Sequence, residues 1–302
     1  MNLTKQLKSF LKTAKTPLVV ILGPTASGKT AISLKIAQEI EGEIISTDSR
    51  QIYKGLEIGS DALPEDQQEG IPHHMMGIVD PDREYSLAEY KDDAEKIIAE
   101  IRKRDHIPML VGGTGLYISA LTEDYDVPRV PPDKALREKL YKEAEEKGQE
   151  ALHARLAELD PEAANAIHPN NLRYVVRALE INLKTGKPKQ DTKAPEVAED
   201  VFMIGIERPR EEIYERINTR VDTQEYRGLI DEVTVLLDKG YDENLPSMSS
   251  LGVKEIIPFI RGEQTLEECK ETLKQNTRNY AKRQGTWFRR YPQINWIKPE
   301  DL

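Results

Sequence analysis

The stretch Gly23-Pro24-Thr25-Ala26-Ser27-Gly28-Lys29-Thr30 constrains this chain more than any other, because it satisfies G-x-x-x-x-G-K-[ST] at every fixed position. An apolar run, Pro17–Leu22, precedes it and is too short to be anything but a buried strand. A helical pattern follows, with Ile32, Ile36, Ala37 and Ile40 on one face. Strand, loop and helix in that order separate a phosphate site from a Gly-rich turn. The two glycines let the backbone curl until successive N–H groups point inward, and the helix start adds partial positive charge. Lys29 sets a full charge against terminal phosphate oxygens, and the Thr30 hydroxyl can ligate Mg²⁺. A di- or triphosphate is the expected ligand, nucleotide or not.

Further strands are expected to converge on the same rim. Glu43–Ser46 reads as a strand that delivers Thr47-Asp48-Ser49-Arg50-Gln51-Ile52-Tyr53. In a parallel sheet both strands end on one side, so Asp48 is predicted to lie beside the phosphate loop. Pro108–Val111 is a third strand, running into Gly112-Gly113-Thr114-Gly115-Leu116-Tyr117, where the glycine pair admits a ligand close to the backbone and Thr114 offers a hydroxyl. Val201–Ile206 is a fourth. The pattern predicts an α/β fold, a P-loop nucleotide-kinase-like parallel sheet flanked by helices, with a helical insertion domain.

The catalytic core is expected over residues 1–125 and 196–302, and the insertion over 126–195. Asp126–Pro132 reads as a stiff linker. Helices are predicted from Pro132/Asp133 to Lys147, over Glu150–Leu159, from a cap at Asp160-Pro161-Glu162, and over Asn170–Lys184, with Leu172, Val175, Val176, Leu179 and Leu183 on a core face. Arg173 and Arg177 sit four apart on that last helix, either as a solvated face or as a grip on phosphates. Gly186–Glu199 is polar and loop-like. Ser86–Arg102 is a helix, whereas Gly55–Gly77 has no clear period and reads as a loop-rich excursion. His73-His74 within it suits packing or a backbone hydrogen bond better than a metal, since only five histidines exist and no cysteine is near. From Arg210 to Lys239 the period is helical, interrupted near Gly228. Arg216 and Arg220, one turn apart there, are placed to reach a pyrophosphate or to pair with neighbouring Glu.

Charge is segregated along the chain. The net charge of −10 over 302 residues excludes indiscriminate coating of nucleic acid. Yet the last long helix, opened by the capping box Thr265-x-x-Glu268, has no acidic residue between Thr272 and Tyr291. Lys274, Arg278 and Lys282 fall on one stripe, with Arg283, Arg289 and Arg290 beyond and Tyr280, Trp287 and Phe288 interleaved. Such a segment reads either as a nucleic-acid contact or as an ordinary basic helix end. The lone Cys269 points to a reducing compartment, no stretch is long enough to span a bilayer, and residues 1–15 read as a short amphipathic lead-in helix rather than a leader. A cytoplasmic protein is expected.

Taken in order, these stretches resemble the tRNA dimethylallyltransferase (isopentenyl-tRNA transferase) family. The resemblance is carried by Gly23–Thr30, Asp48-Ser49-x-Gln51-Ile52-Tyr53, Pro72-His73-His74, Gly112–Tyr117, Ile167-His168-Pro169-Asn170 with Arg173 and Arg177-Ala178-Leu179-Glu180, and Ala281-Lys282-Arg283-Gln284-x-Thr286-Trp287-Phe288. It implies transfer of a dimethylallyl group from dimethylallyl diphosphate to N6 of the adenosine 3′-adjacent to the anticodon, with pyrophosphate released and Mg²⁺ assisting. It further implies that Asp48 is the base, that Thr114 helps position the amine or a bridging oxygen, and that Lys29 and Arg220 hold the diphosphate, Arg216 being a weaker candidate. The tRNA would be held by Asp48, Ser49, Arg50, Gln51, Arg173, Arg177, Arg278, Lys282 and Arg283, on a monomer without membrane contact. The chain departs from the family pattern in three places. Ser60-Asp61-Ala62 stands where Thr-Ala-Lys is usual, Gly252-Val253-Lys254 where Gly-Tyr-Lys is common, and Gln224-Glu225 where a methionine and an apolar residue are expected. The rival readings are an ATP-dependent small-molecule kinase on the same sheet, with Asp48 as metal partner, and a tRNA-binding module without catalysis.

Overall fold

The computed structural model describes residues 3–123, 127–186 and 200–301. Its centre is a six-stranded parallel sheet made of β1 (Leu18–Leu22), β2 (Gly42–Thr47), β3 (His73–His74), β4 (Ile107–Gly112), β5 (Val201–Ile206) and β6 (Asn295–Ile297), in the order β3-β2-β4-β1-β5-β6. The four expected strands are the four central ones. Each is buried nearly throughout, which is why they read as continuous apolar runs rather than alternating ones. Gly112 pairs with Leu22 on one side and with Thr47 on the other, so β1, β2 and β4 end level.

Twelve α-helices are described: α1 (Leu3–Thr13), α2 (Lys29–Ile40), α3 (Leu87–Lys103), α4 (Gly115–Thr122), α5 (Lys134–Lys147), α6 (Gln149–Leu159), α7 (Pro161–Ala166), α8 (Leu172–Thr185), α9 (Arg210–Tyr226), α10 (Leu229–Asp238), α11 (Val253–Ile260) and α12 (Leu266–Phe288). The described residues divide into two compact units. One is drawn from Met1–Tyr85, Glu89–Thr122 and Val197–Leu302, the other from Ser86–Ala88 and Glu123–Glu196. The expected insertion limits, 126 and 195, and all but the first residue of the loop expected over Gly186–Glu199 lie outside the described residues.

In the first unit Leu3 and Leu7 of α1 and Ile32, Ile36 and Ala37 of α2 share one core with β1, β2, β4 and β5. A second core joins Ile52, Tyr53 and Leu56 to helices α9–α12 through Val221, Val233, Ile256 and Leu273. The helical unit closes on Leu140, Leu152, Leu156, Val175, Val176 and Leu179. Leu183, expected on that core face, is instead exposed, because it lies in the last turn of α8 past the reach of its partners. The predicted caps form: Asp160 accepts from Ala163 N–H at 3.0 Å, and Thr265 and Glu268 bond reciprocally.

Several short elements escape sequence patterning. β3 and β6, two and three residues long, exist because the edges of β2 and β5 pair with them, and α11 tolerates an internal Pro258. His73 Nδ1 meets the Ile71 carbonyl at 2.8 Å and His74 Nε2 meets Glu43 at 2.7 Å, so both histidines serve structure. Among the described residues no group of His, Cys, Asp and Glu is arranged to hold a metal ion, and no helix is long and apolar enough to cross a membrane.

Glu43 deserves its partners: its buried carboxylate takes Arg104 at 2.7 and 3.0 Å, His74 at 2.7 Å and His106 at 2.7 Å. The Arg104 hydrogen bonds, more than those from the histidines, hold its pKa down to about 2 against the penalty of burial. A depressed carboxylate stabilises the fold above its unfolded pKa, and that contribution is lost as pH falls towards 2. We predict that Glu43→Gln costs about 3 kcal/mol at pH 7. Urea unfolding should show the deficit shrinking by more than half at pH 3, and an undiminished gap at pH 3 would disprove the ionic origin.

Candidate active site

The phosphate loop leaves β1 at Leu22 and enters α2 at Lys29 through Gly28, whose φ of 98° lies in the left-handed region that favours glycine. Lys29 Nζ donates to the carbonyls of Gly23 at 3.0 Å and Pro24 at 2.8 Å. Burial lowers its pKa to about 8, assisted by the charge of Arg220, while Asp48 and Asp61 pull it back up. Asp48 therefore lies within electrostatic reach of Lys29, as the parallel topology requires. The Ser27 hydroxyl is buried with no partner among the described residues, an orphan in the loop expected to bind oxygen-rich anions.

Guanidinium groups brace the loop from outside. Arg208 Nε donates to Ser27 O at 2.8 Å, Arg216 Nε to Ala26 O at 2.7 Å, and Arg220 Nη1 to the Thr25 hydroxyl at 2.7 Å. The first two occupy carbonyls that would otherwise repel an anion. Arg208 was not marked by any sequence pattern, since it stands alone after β5. Arg220 also pairs with Asp61 at 3.1 Å, and Arg227 holds the other oxygen of Asp61 at 3.1 Å.

The facing wall is built on the loop after β2. Asp48 Oδ1 accepts from Arg50 N–H at 2.9 Å, which fixes the carboxylate by a bond within its own turn. Thr114 N–H donates to Thr47 O at 3.0 Å, and the Thr114 hydroxyl accepts from Ser49 N–H at 3.1 Å. The same hydroxyl bonds the phenol of Tyr280, whose pKa is pushed up to about 12, chiefly by burial and then by the Asp48 charge. Thr114 is thus a staple between two rim loops. Gln51 is braced between Ser46, at 2.7 Å, and Ser60 O, at 3.4 Å, while Arg50 donates to Pro246 O.

Gln284 of α12 ties the two walls together. Its Oε1 accepts from Thr25 N–H at 2.8 Å and its Nε2 donates to Gly113 O at 2.9 Å, in nearly complete burial. A Cβ on Gly113 would fall 2.1 Å from that nitrogen, so the glycine is what admits the cross-link. In sequence Gln284 stands inside a basic segment with no charge to mark it.

Between the walls lies a cavity of about 260 Å³. Val221, Leu251 and Leu273 give it apolar lining, and Thr25, Asp48, Arg220, Thr277 and Tyr280 give it polar lining. The Ile58-Gly59 segment is sutured to the helices beside it. Gln224 Nε2 donates to both of its carbonyls, at 2.7 and 3.1 Å, and Glu232 accepts from both of its amides, at 2.7 and 2.8 Å.

The expected basic stripe splits in two. Lys274 is buried against Asp222 at 3.5 Å and Glu271 at 3.0 Å, so it serves packing rather than a nucleic-acid face. Arg278 reaches Asn218 at 2.9 Å and Gln275 at 3.1 Å. Lys282 and Arg283 are exposed and border a groove of about 580 Å³ with Asn279, Thr286, Trp287 and Arg290. The Arg290 guanidinium lies 4.8 Å from the Trp287 ring centre. In the helical unit, Arg173 is exposed beside Tyr174, whereas Arg177 is engaged by Glu180 and by Val130 O at 2.8 Å. Arg177 therefore braces that unit internally.

Known proteins match the chain over most of its length. The family model described as IPP transferase matches residues 51–291, and that described as isopentenyl transferase matches residues 16–73. The chain is 47% identical over 291 residues to the tRNA dimethylallyltransferase of Pelotomaculum thermopropionicum, covering 95% of this chain and 92% of that one. It is 47% identical over 285 residues to that of Alkaliphilus oremlandii, covering 93% and 91%. Among solved structures it is similar to a tRNA isopentenylpyrophosphate transferase from Bacillus halodurans (TM-score 0.69, 42% identity, covering 94% and 90%). It is also similar to a eukaryotic dimethylallyltransferase acting on tRNA (TM-score 0.80, 30% identity, covering 94% and 74%).

A loop lysine with a pKa near 8 gives a testable pH dependence. Below pH 8 the ammonium is charged; above it the charge is lost, and an anion on the loop loses its partner. We predict that inorganic pyrophosphate binds progressively more weakly above pH 8, by up to about tenfold per unit, and that Lys29→Met removes this dependence. Calorimetric titration from pH 6.5 to 9.5 checks it, and a flat wild-type profile would contradict it.

Proposed function

The chain belongs to the tRNA dimethylallyltransferase (IPP transferase) family, and on that premise we propose how its residues carry out the family's reaction. It is an enzyme that transfers a dimethylallyl group from dimethylallyl diphosphate to N6 of the adenosine 3′-adjacent to the anticodon in tRNA, releasing pyrophosphate. The observation that carries the residue assignment is that Thr25, Arg220 and Asp48 line one cavity.

The donor diphosphate sits on Gly23–Thr30, held by the loop amides, Lys29 and Arg220. The prenyl tail lies along Val221, Leu251 and Leu273. The target adenine leaves its stack and enters from the side of Asp48. As N6 attacks C1 of the donor, the N6–C1 bond forms and the C1–O bond breaks. The N6 proton passes to the Asp48 carboxylate, and the growing charge on pyrophosphate is met by Lys29, Arg220 and the loop. Thr114, locked to Ser49 and Tyr280, holds the amine in line.

Mg²⁺ fits this site as a partner of the diphosphate. The donor set is oxygen-rich, with the Thr30 hydroxyl and the orphaned Ser27 hydroxyl beside the loop, and a hard cation that keeps phosphate and water ligands suits it. When bound it supplies charge neutralisation to the leaving group. The anticodon arm is held by Ser49, Arg50 and Gln51 at the rim and by Arg278, Lys282 and Arg283 on α12, with the exposed Arg173 of the helical unit a further RNA contact and Arg177 bracing the helix that carries it. One copy of the chain contains every group named, and the reaction belongs in the cytoplasm with its tRNA.

Two outcomes follow. With labelled donor and unmodified tRNA, transfer proceeds without ATP, and Asp48→Asn lowers single-turnover transfer by about 10²–10⁴-fold while tRNA affinity changes little; near-normal turnover would remove Asp48 from the base role, and a strict ATP requirement would restore the kinase reading. Lys282→Ala with Arg283→Ala should weaken tRNA binding and reduce the slope of log affinity against log salt by about 1–2. An unchanged slope would place the RNA elsewhere.

A further inference from the structure

A second cavity, of about 500 Å³, adjoins the transfer cavity. Arg220 and Gln224 line both. The second is bordered by Ala26 of the phosphate loop and by Arg216, Arg220 and Arg227, with Asp61 and Glu215 as its carboxylates. Most of its lining on α9 is exposed, so it opens to solvent. Arg220, common to both spaces, is paired with Asp61, which lines only the second.

The charges there are unevenly matched. Arg220 and Arg227 share one carboxylate, that of Asp61, each at 3.1 Å. Arg216 makes no ion pair among the described residues and is held by the Ala26 carbonyl alone.

Resting on the reading that the donor diphosphate occupies the phosphate loop, we propose that this second cavity is a further diphosphate site. In it Arg216, Arg220 and Arg227 receive the diphosphate group, and the Arg220–Asp61 pair is the movable link between the two sites. Transfer leaves pyrophosphate in a cavity whose Asp48 side is filled by RNA, so the product needs another path. Arg220 already touches both spaces. By exchanging Asp61 for a phosphate oxygen it keeps a charge partner throughout, and Arg227 retains the carboxylate that Arg220 gives up. The group recognised is a diphosphate, from free pyrophosphate or from the allylic donor.

Calorimetric titration of the full chain with inorganic pyrophosphate in the presence of Mg²⁺ tests this. The wild type should show two binding events. Lys29→Met should abolish the tighter and keep the weaker; Arg227→Gln should keep the tighter and weaken the other about tenfold or more, with Arg227→Lys restoring part of it. A single event in the wild type, abolished by Lys29→Met, would overturn the second site and leave the phosphate-loop reading intact. A weaker event indifferent to Arg227→Gln would also overturn it. Absence of any binding would overturn both readings. Repeating the titration with dimethylallyl diphosphate separates the sources: two events there assign the second site to donor and product alike, one event to product alone.

Discussion

In the parallel sheet Leu22, Gly112 and Thr47 lie side by side, so three strands hand their following loops to the same rim at the same height. Everything chemical in this molecule depends on that levelling. A shift of β2 by one residue would turn alternate side chains to the opposite face and carry Asp48 away from the phosphate loop. The level is then locked from outside the sheet. Gln284 bonds Thr25 and Gly113, Thr114 bonds Ser49 and Tyr280, and Tyr90 of α3 donates its hydroxyl to Ser46 O at 2.9 Å. Helix α12 is consequently both wall and clamp. Its inner face fixes the rim, and its outer face carries the exposed cations Lys282 and Arg283.

Charge is arranged with similar economy. A phosphate loop that is too positive would bind its product as tightly as its substrate, and one that is too neutral would hold neither. Here Lys29 is kept near the point of losing its proton by burial and by Arg220, while Asp48 and Asp61 partly offset that pressure. Arriving diphosphate favours the ammonium form, so the lysine gains charge as the ligand binds. The two carboxylates differ in what they face: Asp48 lines the cavity, whereas Asp61 pairs with Arg220 and Arg227.

Much of this was legible in the residues. The phosphate loop, the strand before it and Asp48 could be placed from sequence because each depends on local pattern plus one rule, that parallel strands share a rim. Thr114 followed from the same rule. What could not be read was every contact made by a side chain distant in sequence. Gln284 sits more than two helices away from its targets; Arg208 and Asp61 belong to no pattern, and their partners are chosen by packing. Lys274 shows the converse. Its spacing puts it on a basic stripe, but α9 packs against that turn and presents Asp222, so the charge is consumed inside the fold. Spacing along a helix defines a face, and only the neighbouring helix decides whether that face meets solvent.

The most direct test of the account is a structure of the enzyme with a non-hydrolysable thio-analogue of the donor and an unmodified anticodon stem-loop. The diphosphate should lie on Gly23–Thr30, the prenyl tail against Leu251 and Leu273, and N6 of the flipped adenine about 3 Å from an Asp48 carboxylate oxygen. An adenine still stacked in the loop, or seated where Asp48 cannot reach its amine, would contradict it.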